Sequence, residues 1–336
     1  MTEFEKIPAG EEAAIDEILR LTMEQLKKES PPGTRPVKRD AHAKHHGLVR
    51  AELTVHEALP PELAVGVFQT PRTYRAYVRF SNSVGNIGDD HEPQTRGMAV
   101  KLLGVPGEKL LPDERHATTQ DFVLLNNPEF PVADLDEYIR FMKAVFSGSP
   151  IWFFLPSLNP FRWRIRELLI VMAMRNRKVS SPLTTQYYSA TPYLLGDRPI
   201  QFSLRPTSMA REPIPDSPDY LREAMRGTLA QGDASFEFLV RFRASEDEPI
   251  EDPRIPWKGQ WRSVATLRIP RQTFLSPAQL ELAENISFTS WHSLPEHRPL
   301  GSINRARKRI YQAISQYRHR ENGVPIGEPT GDETFE

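Results

Sequence analysis

Four alternating apolar segments follow one another in the first 125 residues with no helical sequence between them. They are the second half of Arg39–Val55 (RDAHAKHHGLVRAELTV), residues 62–83 ending in Tyr77-Val78-Arg79-Phe80-Ser81, Met98–Leu103 and Asp121–Leu125. Parallel strands need a long crossover, usually helical, so strands in direct succession point to an antiparallel sheet or barrel. Later segments add to it. Tyr187–Tyr193 and Ile200–Arg205 read as a hairpin around Gly196-Asp197, with Pro192 confining the first strand to an edge or an end. Phe236–Phe242 and Trp261–Ile269 read as a further pair.

Helical sequence surrounds this sheet. Residues 10–28 form an amphipathic helix with Ile15, Ile18, Leu19, Met23 and Leu26 on one side, interrupted by Thr22, and Ser30-Pro31-Pro32-Gly33 ends it. Residues 134–146, 160–177, 276–284 and 302–318 are helical in pattern, and Ile151–Leu155 is an apolar run. The 160–177 segment has a Leu168–Met172 centre flanked by Arg162, Arg164, Arg166, Arg175, Arg177 and Lys178. It reads either as a buried helix with basic ends or as a surface that touches lipid or an apolar substrate. The chain divides into an N-terminal helix and arm (1–34), one domain (35–320) and a polar, acidic tail (321–336) expected to be disordered.

Several chemistries are excluded. The 336 residues contain no cysteine, which removes disulfides, thiolate nucleophiles, cysteine zinc sites, iron–sulfur clusters and thiolate-ligated haem. A formal net charge of -1 gives no global signal for nucleic acid. No run reaches membrane-spanning length and the acidic N-terminus has no signal-peptide core, so a soluble, cytoplasmic protein is expected. The sequence has no nucleophile elbow, P-loop or dinucleotide fingerprint. His42 and His46 would share a helix face, but their flanks alternate like a strand and no partner completes a zinc set.

The C-terminal helix places Arg307, Tyr311 and Arg318 on one face, since eleven residues are close to three turns. Two readings stand: a solvated basic helix with Tyr311 at its edge, or a phenol held as phenolate by positive charge. Free tyrosine ionises near pH 10, so the second requires a strong cationic environment, most readily a metal ion with an arginine beside it.

Five pieces carry a resemblance in order along the chain. They are Arg39-x-x-His42-Ala43-Lys44, Arg79-Phe80-Ser81, Arg96-Gly97-x-Ala99-Val100-Lys101, Asp121-x-Val123-x-x-Asn126-x-Pro128-x-Phe130-x-x-x-Asp134, and Arg307-x-x-x-Tyr311 followed by Arg318. At these residues the chain resembles the haem catalases, in their small, catalase-related form, over roughly residues 35–320, and Trp257 falls where that family's wrapping segment carries a tryptophan. The resemblance implies an α+β fold: an antiparallel eight-stranded barrel with flanking helices and haem b (iron protoporphyrin IX) between barrel and helices. It implies Tyr311 as the iron ligand, tyrosine being the haem ligand of catalases, with Arg307 holding the phenolate. It assigns Arg39 and Arg318 to the haem propionates, Arg79 to the same charged rim, Phe130 to the distal pocket, and His42 with Asn126 to catalysis. The sequence departs from the family pattern at Leu125, where the family's asparagine falls in an ungapped alignment, at Pro131 and at His45. The expected function is haem-dependent hydroperoxide consumption by a peroxidase or catalase-like enzyme acting on a small hydroperoxide. The alternatives are a fatty-acid hydroperoxide isomerase or dehydratase, and a haem carrier or sensor without turnover. The expected partners are a second copy in a homodimer and weak contact with membrane or lipid, with no nucleic acid.

Overall fold

The computed structural model describes residues 3–31, 33–210 and 213–335. Among these residues nine strands form one antiparallel sheet: β1 (His45–Val55), β2 (Thr73–Asn82), β3 (Arg96–Leu103), β4 (Thr119–Leu125), β5 (Tyr187–Tyr188), β6 (Tyr193–Leu195), β7 (Arg198–Pro206), β8 (Ala234–Phe242) and β9 (Arg262–Ile269). The order is β5-β4-β3-β2-β1-β9-β8-β7-β6, and β5 also pairs with β7. Eight strands therefore close into a barrel, while β6 is the hairpin partner of β7 across Gly196-Asp197. Closure removes exposed sheet edges. The expected strand 187–193 is split in two, because Ala190 adopts φ 57° and Pro192 cannot donate a ladder hydrogen bond. Residues 62–72 are loop and a short 3-10 turn rather than strand, so β2 starts at Thr73.

Alternation decides which side chains fill the barrel. Val78, Phe80, Met98, Val100, Phe122 and Leu124 point inward with Phe202, Phe236 and Phe238 from the opposite wall. Phe122 packs edge-on against Phe202 and Phe238 at ring distances of 5.3 and 5.0 Å.

Among the described residues seven helices flank the barrel: α1 (Glu11–Glu29), α2 (Leu135–Phe146), α3 (Ile151–Phe154), α4 (Ile165–Arg175), α5 (Tyr220–Gln231), α6 (Pro277–Asn285) and α7 (Ser302–Asn322). A second core joins α1, α2, α3 and α7 through Ile15, Ile18, Leu26, Leu135, Met142, Phe153, Phe154, Ile310 and Ile314. The first turn of α7 is pinned by Arg305, which donates to Glu11 (2.6 Å) and Glu5 (2.7 Å) and pairs with Glu251 (3.0 Å). Among the described residues of α4 only Glu167 is buried. Its apolar residues run all round the helix, so one packing face cannot cover them.

Of the tail 321–336, expected from sequence to be disordered, the first two residues close α7, residues 324–335 lie along the outside of β1–β4, and residue 336 is outside the described residues. Glu328 accepts from Lys101 (2.6 Å) and Thr119 (2.7 Å), Tyr77 donates to Glu333 (2.6 Å), and Arg50 stacks over Phe335. No described helix is long and apolar enough to cross a membrane.

Candidate functional site

The site begins with the outward-facing register of β2, β3 and β4. Arg79 lies opposite Ala99, and Ala99 opposite Val123; Ser81 lies opposite Gly97, and Gly97 opposite Leu125. Helix α7 covers these rows with Tyr311, Ile314 and Arg318. A cavity of ≈ 270 Å³ remains between them, lined also by Arg39, Asp40, His42, Ser287, Lys308 and Ile326.

His42 enters from the segment before β1. Its backbone sits in the left-handed region (φ 60°), its N–H donates to Ser83 O (3.2 Å), and its carbonyl accepts from Arg79 (3.0 Å). These contacts hold a conformation that a non-glycine residue rarely adopts. The imidazole Nδ1 lies 3.0 Å from Ser81 Oγ. Burial, and then the charges of Arg79, Arg307 and Arg39, push its pKa down to about 3, so the ring is neutral at physiological pH. Gly97 makes room for it. A Cβ there would stand 2.5 Å from His42 Nδ1 and 2.9 Å from Ser81 Oγ. Gly97→Ala therefore displaces the imidazole and costs about 1–3 kcal/mol of stability through overpacking. Thermal unfolding and turnover measured on the same preparation check this; wild-type values for both would mean that His42 does not stack on Gly97.

Three guanidiniums converge on the last turn of α6. Arg39 donates to Glu284 O (3.0 Å) and Ile286 O, Arg79 to Ala283 O (3.0 Å), and Arg318 to Glu284 O (2.7 Å). One carboxylate, Glu284, is shared by Arg318 (3.3 Å), Arg39 (3.6 Å) and Lys38 (2.9 Å). Burial pushes Arg79 down to about 10 and also lowers Arg39 and Arg318. It raises Asp40, the other carboxyl at this end, to about 6. The end of the cavity thus carries more buried cation than carboxylate and is built for an anion.

His42, Arg39, Arg79, Tyr311 and Arg318 share this cavity. Asn126, Phe130 and Arg307 do not line it. The Asn126 side chain turns back to accept from Arg96 N (2.8 Å), while Leu125 stands on the outward face beside Ser81 and Gly97. Phe130 packs edge-on against Tyr138 (5.9 Å) in the helical layer. Arg307 stacks over Phe130 (5.4 Å) and donates to Asn304 (3.2 Å); among the described residues it makes no hydrogen bond to Tyr311. His46 is turned from the cavity and bonds Asn82 (3.0 Å). Ser81, Gly97 and Glu284 were given no role from sequence. Strand alternation that puts Ser81 on the side of Arg79 was the available signal for Ser81; nothing local marks Glu284.

Buried histidines make the protein acid-sensitive. Burial is the largest cause in each case: His42 and His297 are pushed down to about 3, His45 to about 2, and His46 is lowered. Unfolded, each binds a proton near pH 6.5. Their stabilisation is present above that pH and is lost as pH falls toward 3, at about 1.4 kcal/mol per pH unit each. Asp40 and Asp121, both raised to about 6 by burial, oppose two of them below that pH. Between pH 6.5 and 4 the net loss is on the order of 5 kcal/mol, a large part of a domain's stability. Urea midpoints taken across this range fall steeply; a flat profile would show that these histidines titrate normally.

No family model and no curated protein matches the sequence. Solved structures do. A fungal catalase superposes with a TM-score of 0.69 at 17% identity, covering 100% of this chain and 68% of that one. Catalase A from Saccharomyces cerevisiae gives 0.69 at 16% identity, with 100% and 71% covered. A bacterial catalase gives 0.60 at 15% identity, with 98% and 66% covered. With its closed eight-stranded barrel, its flanking helices and this full-length likeness, the chain has the catalase-like fold.

Proposed function

We propose that the protein is a haem-dependent enzyme that consumes hydroperoxides by heterolytic O–O cleavage. The observation that carries this reading is the cluster of three buried guanidiniums opening onto the same cavity as His42 and Tyr311. The residues fit haem b. Arg39, Arg79 and Arg318 supply forked donors for two propionates, and pairing of Arg39 and Arg318 with Glu284 offsets part of their burial. Tyr311 offers a phenol oxygen from α7, across the cavity from the barrel wall. Ala99, Val123 and Ile314 give apolar walls.

Bound there, iron supplies the redox chemistry for breaking the O–O bond. The chain supplies the proton handling. With Nδ1–H donated to Ser81 Oγ, His42 keeps the Nε2 lone pair free. The base takes the proton from the hydroperoxide and delivers it to the departing oxygen, so that water or an alcohol leaves neutral. A pKa near 3 makes His42 a weak base that returns its proton rather than storing it. This arrangement favours an enzyme over a haem carrier, which needs no such base.

The polar neighbours of His42 favour an organic hydroperoxide as substrate. Leu125 stands on the cavity's face of the sheet, while Asn126 does not line the cavity and its Oδ1 is taken by the Arg96 N–H. Little is then left to fix a second hydrogen peroxide for dismutation. The test sets haem-loaded protein against hydrogen peroxide and a lipid hydroperoxide side by side, following oxygen release and hydroperoxide loss. Rapid loss of the lipid hydroperoxide with little oxygen is the expected result. Vigorous oxygen from hydrogen peroxide would assign true catalase activity, and no reaction with either would leave haem carriage.

A further inference from the structure

We infer that the face formed by α3, α4 and the loop between them docks onto an anionic phospholipid surface. Among the described residues, nine of the fourteen exposed large hydrophobic side chains fall between Val145 and Met172. Leu158 is 99% exposed and Phe161 97%, with Trp152 at 65% and Leu169 at 60%. Soluble surfaces rarely gather apolar side chains in this way unless something covers them.

The loop that presents Leu158 and Phe161 is built rather than slack. Asn159 Oδ1 accepts from Phe161 N (3.1 Å), Trp163 Nε1 donates to Ser157 O (2.8 Å), and Pro156 and Pro160 restrict the backbone. Both side chains project from a hydrogen-bonded turn and are almost wholly exposed, with no apolar cover among the described residues.

Charge selects the occupant. Residues 151–178 contain six cations and a single carboxylate, Glu167. That carboxylate is buried and taken by Arg254, and Arg164 pairs with Glu137 (3.2 Å). Arg162, Arg166, Arg175 and Lys178 are exposed and have no carboxylate partner among the described residues. The chain as a whole carries a net charge of -1, so this excess is local. A second copy joined by a two-fold axis would set these cations against their own images. Lipid headgroups of negative charge pair with them while the acyl boundary receives Leu158, Phe161 and Trp152, which is how aromatic and basic residues divide a membrane interface. The inference does not depend on the haem reading.

Sedimentation of the full-length chain with vesicles tests it, using phosphatidylcholine alone and phosphatidylcholine mixed with phosphatidylglycerol. Binding is expected to the mixed vesicles and to weaken as salt is raised, because exposed charges are screened. The double variant L158S/F161S keeps the wild-type melting temperature, since neither side chain packs in the fold, and loses at least about tenfold in binding. R162E/R166E no longer distinguishes the two vesicle types. Failure to sediment with the mixed vesicles, equal binding to both types by the wild type, or wild-type binding by L158S/F161S would each overturn the proposal. So would light scattering that shows a wild-type dimer falling to a monomer in L158S/F161S, which would assign the face to a contact between copies.

Discussion

Changing His42 to alanine lowers hydroperoxide consumption by the haem-loaded protein roughly 10²–10⁴-fold, the range contributed by a positioned general base. Haem content stays near wild type, because the guanidinium cluster is left intact: Arg39, Arg79 and Arg318 are anchored on carbonyls of α6 and the following residues. The bond from the Arg79 guanidinium to the residue 42 carbonyl also survives the change. The position has φ 60°, so alanine carries backbone strain there. His42→Asn tolerates that conformation better and serves as the folding control. The measurement is kcat/KM for a lipid hydroperoxide, normalised to bound haem. An unchanged value in either variant would remove His42 from the chemistry and favour the carrier.

Tyr311→Phe abolishes stable haem uptake and leaves the fold in place. Tyr311 is only partly buried, and the ring is retained, so the packing of α7 against the helical layer is preserved. The lost atom is the phenol oxygen that faces the cavity, and among the described residues nothing else in the chain bonds it. Soret absorbance per protein after reconstitution falls to background, while the melting temperature moves little. A wild-type Soret band in this variant would sink the ligand assignment. Arg307→Ala is the informative companion. Its guanidinium is engaged with Phe130 and Asn304 rather than with Tyr311. A change in the spectrum would mean that Arg307 moves when the cavity is filled.

The fold was readable in the sequence to a large extent. Strands in direct succession and period-two alternation pointed to an antiparallel sheet or barrel, and punctuation by proline and glycine marked the hairpin at Gly196-Asp197. Errors came where local pattern met a backbone exception. Pro192 with Ala190 at φ 57° cut one expected strand in two. The apolar centre of α4 did not reveal its environment, because a helix apolar all round carries no moment to say which side is covered.

The site divides in the same way. His42, Arg39, Arg79, Tyr311 and Arg318 were named from the sequence and lie on one cavity. The amide of Asn126 was not separable from Leu125 by sequence, since one residue of register flips a side chain to the other face of a sheet. The partners that set the electrostatics are far apart in the chain. Glu284 reaches three cations, and Gly97 takes its meaning from His42, 55 positions earlier. Sequence by itself determined the strand and helix periods, the absence of thiol chemistry and which residue types were available, because these depend on local geometry and composition. Tertiary structure alone decided burial, the closure of β5 on β7, the depressed pKa of His42 and the excess of cations over carboxylates. Those depend on desolvation and on charges brought together across hundreds of residues, and no local pattern encodes them.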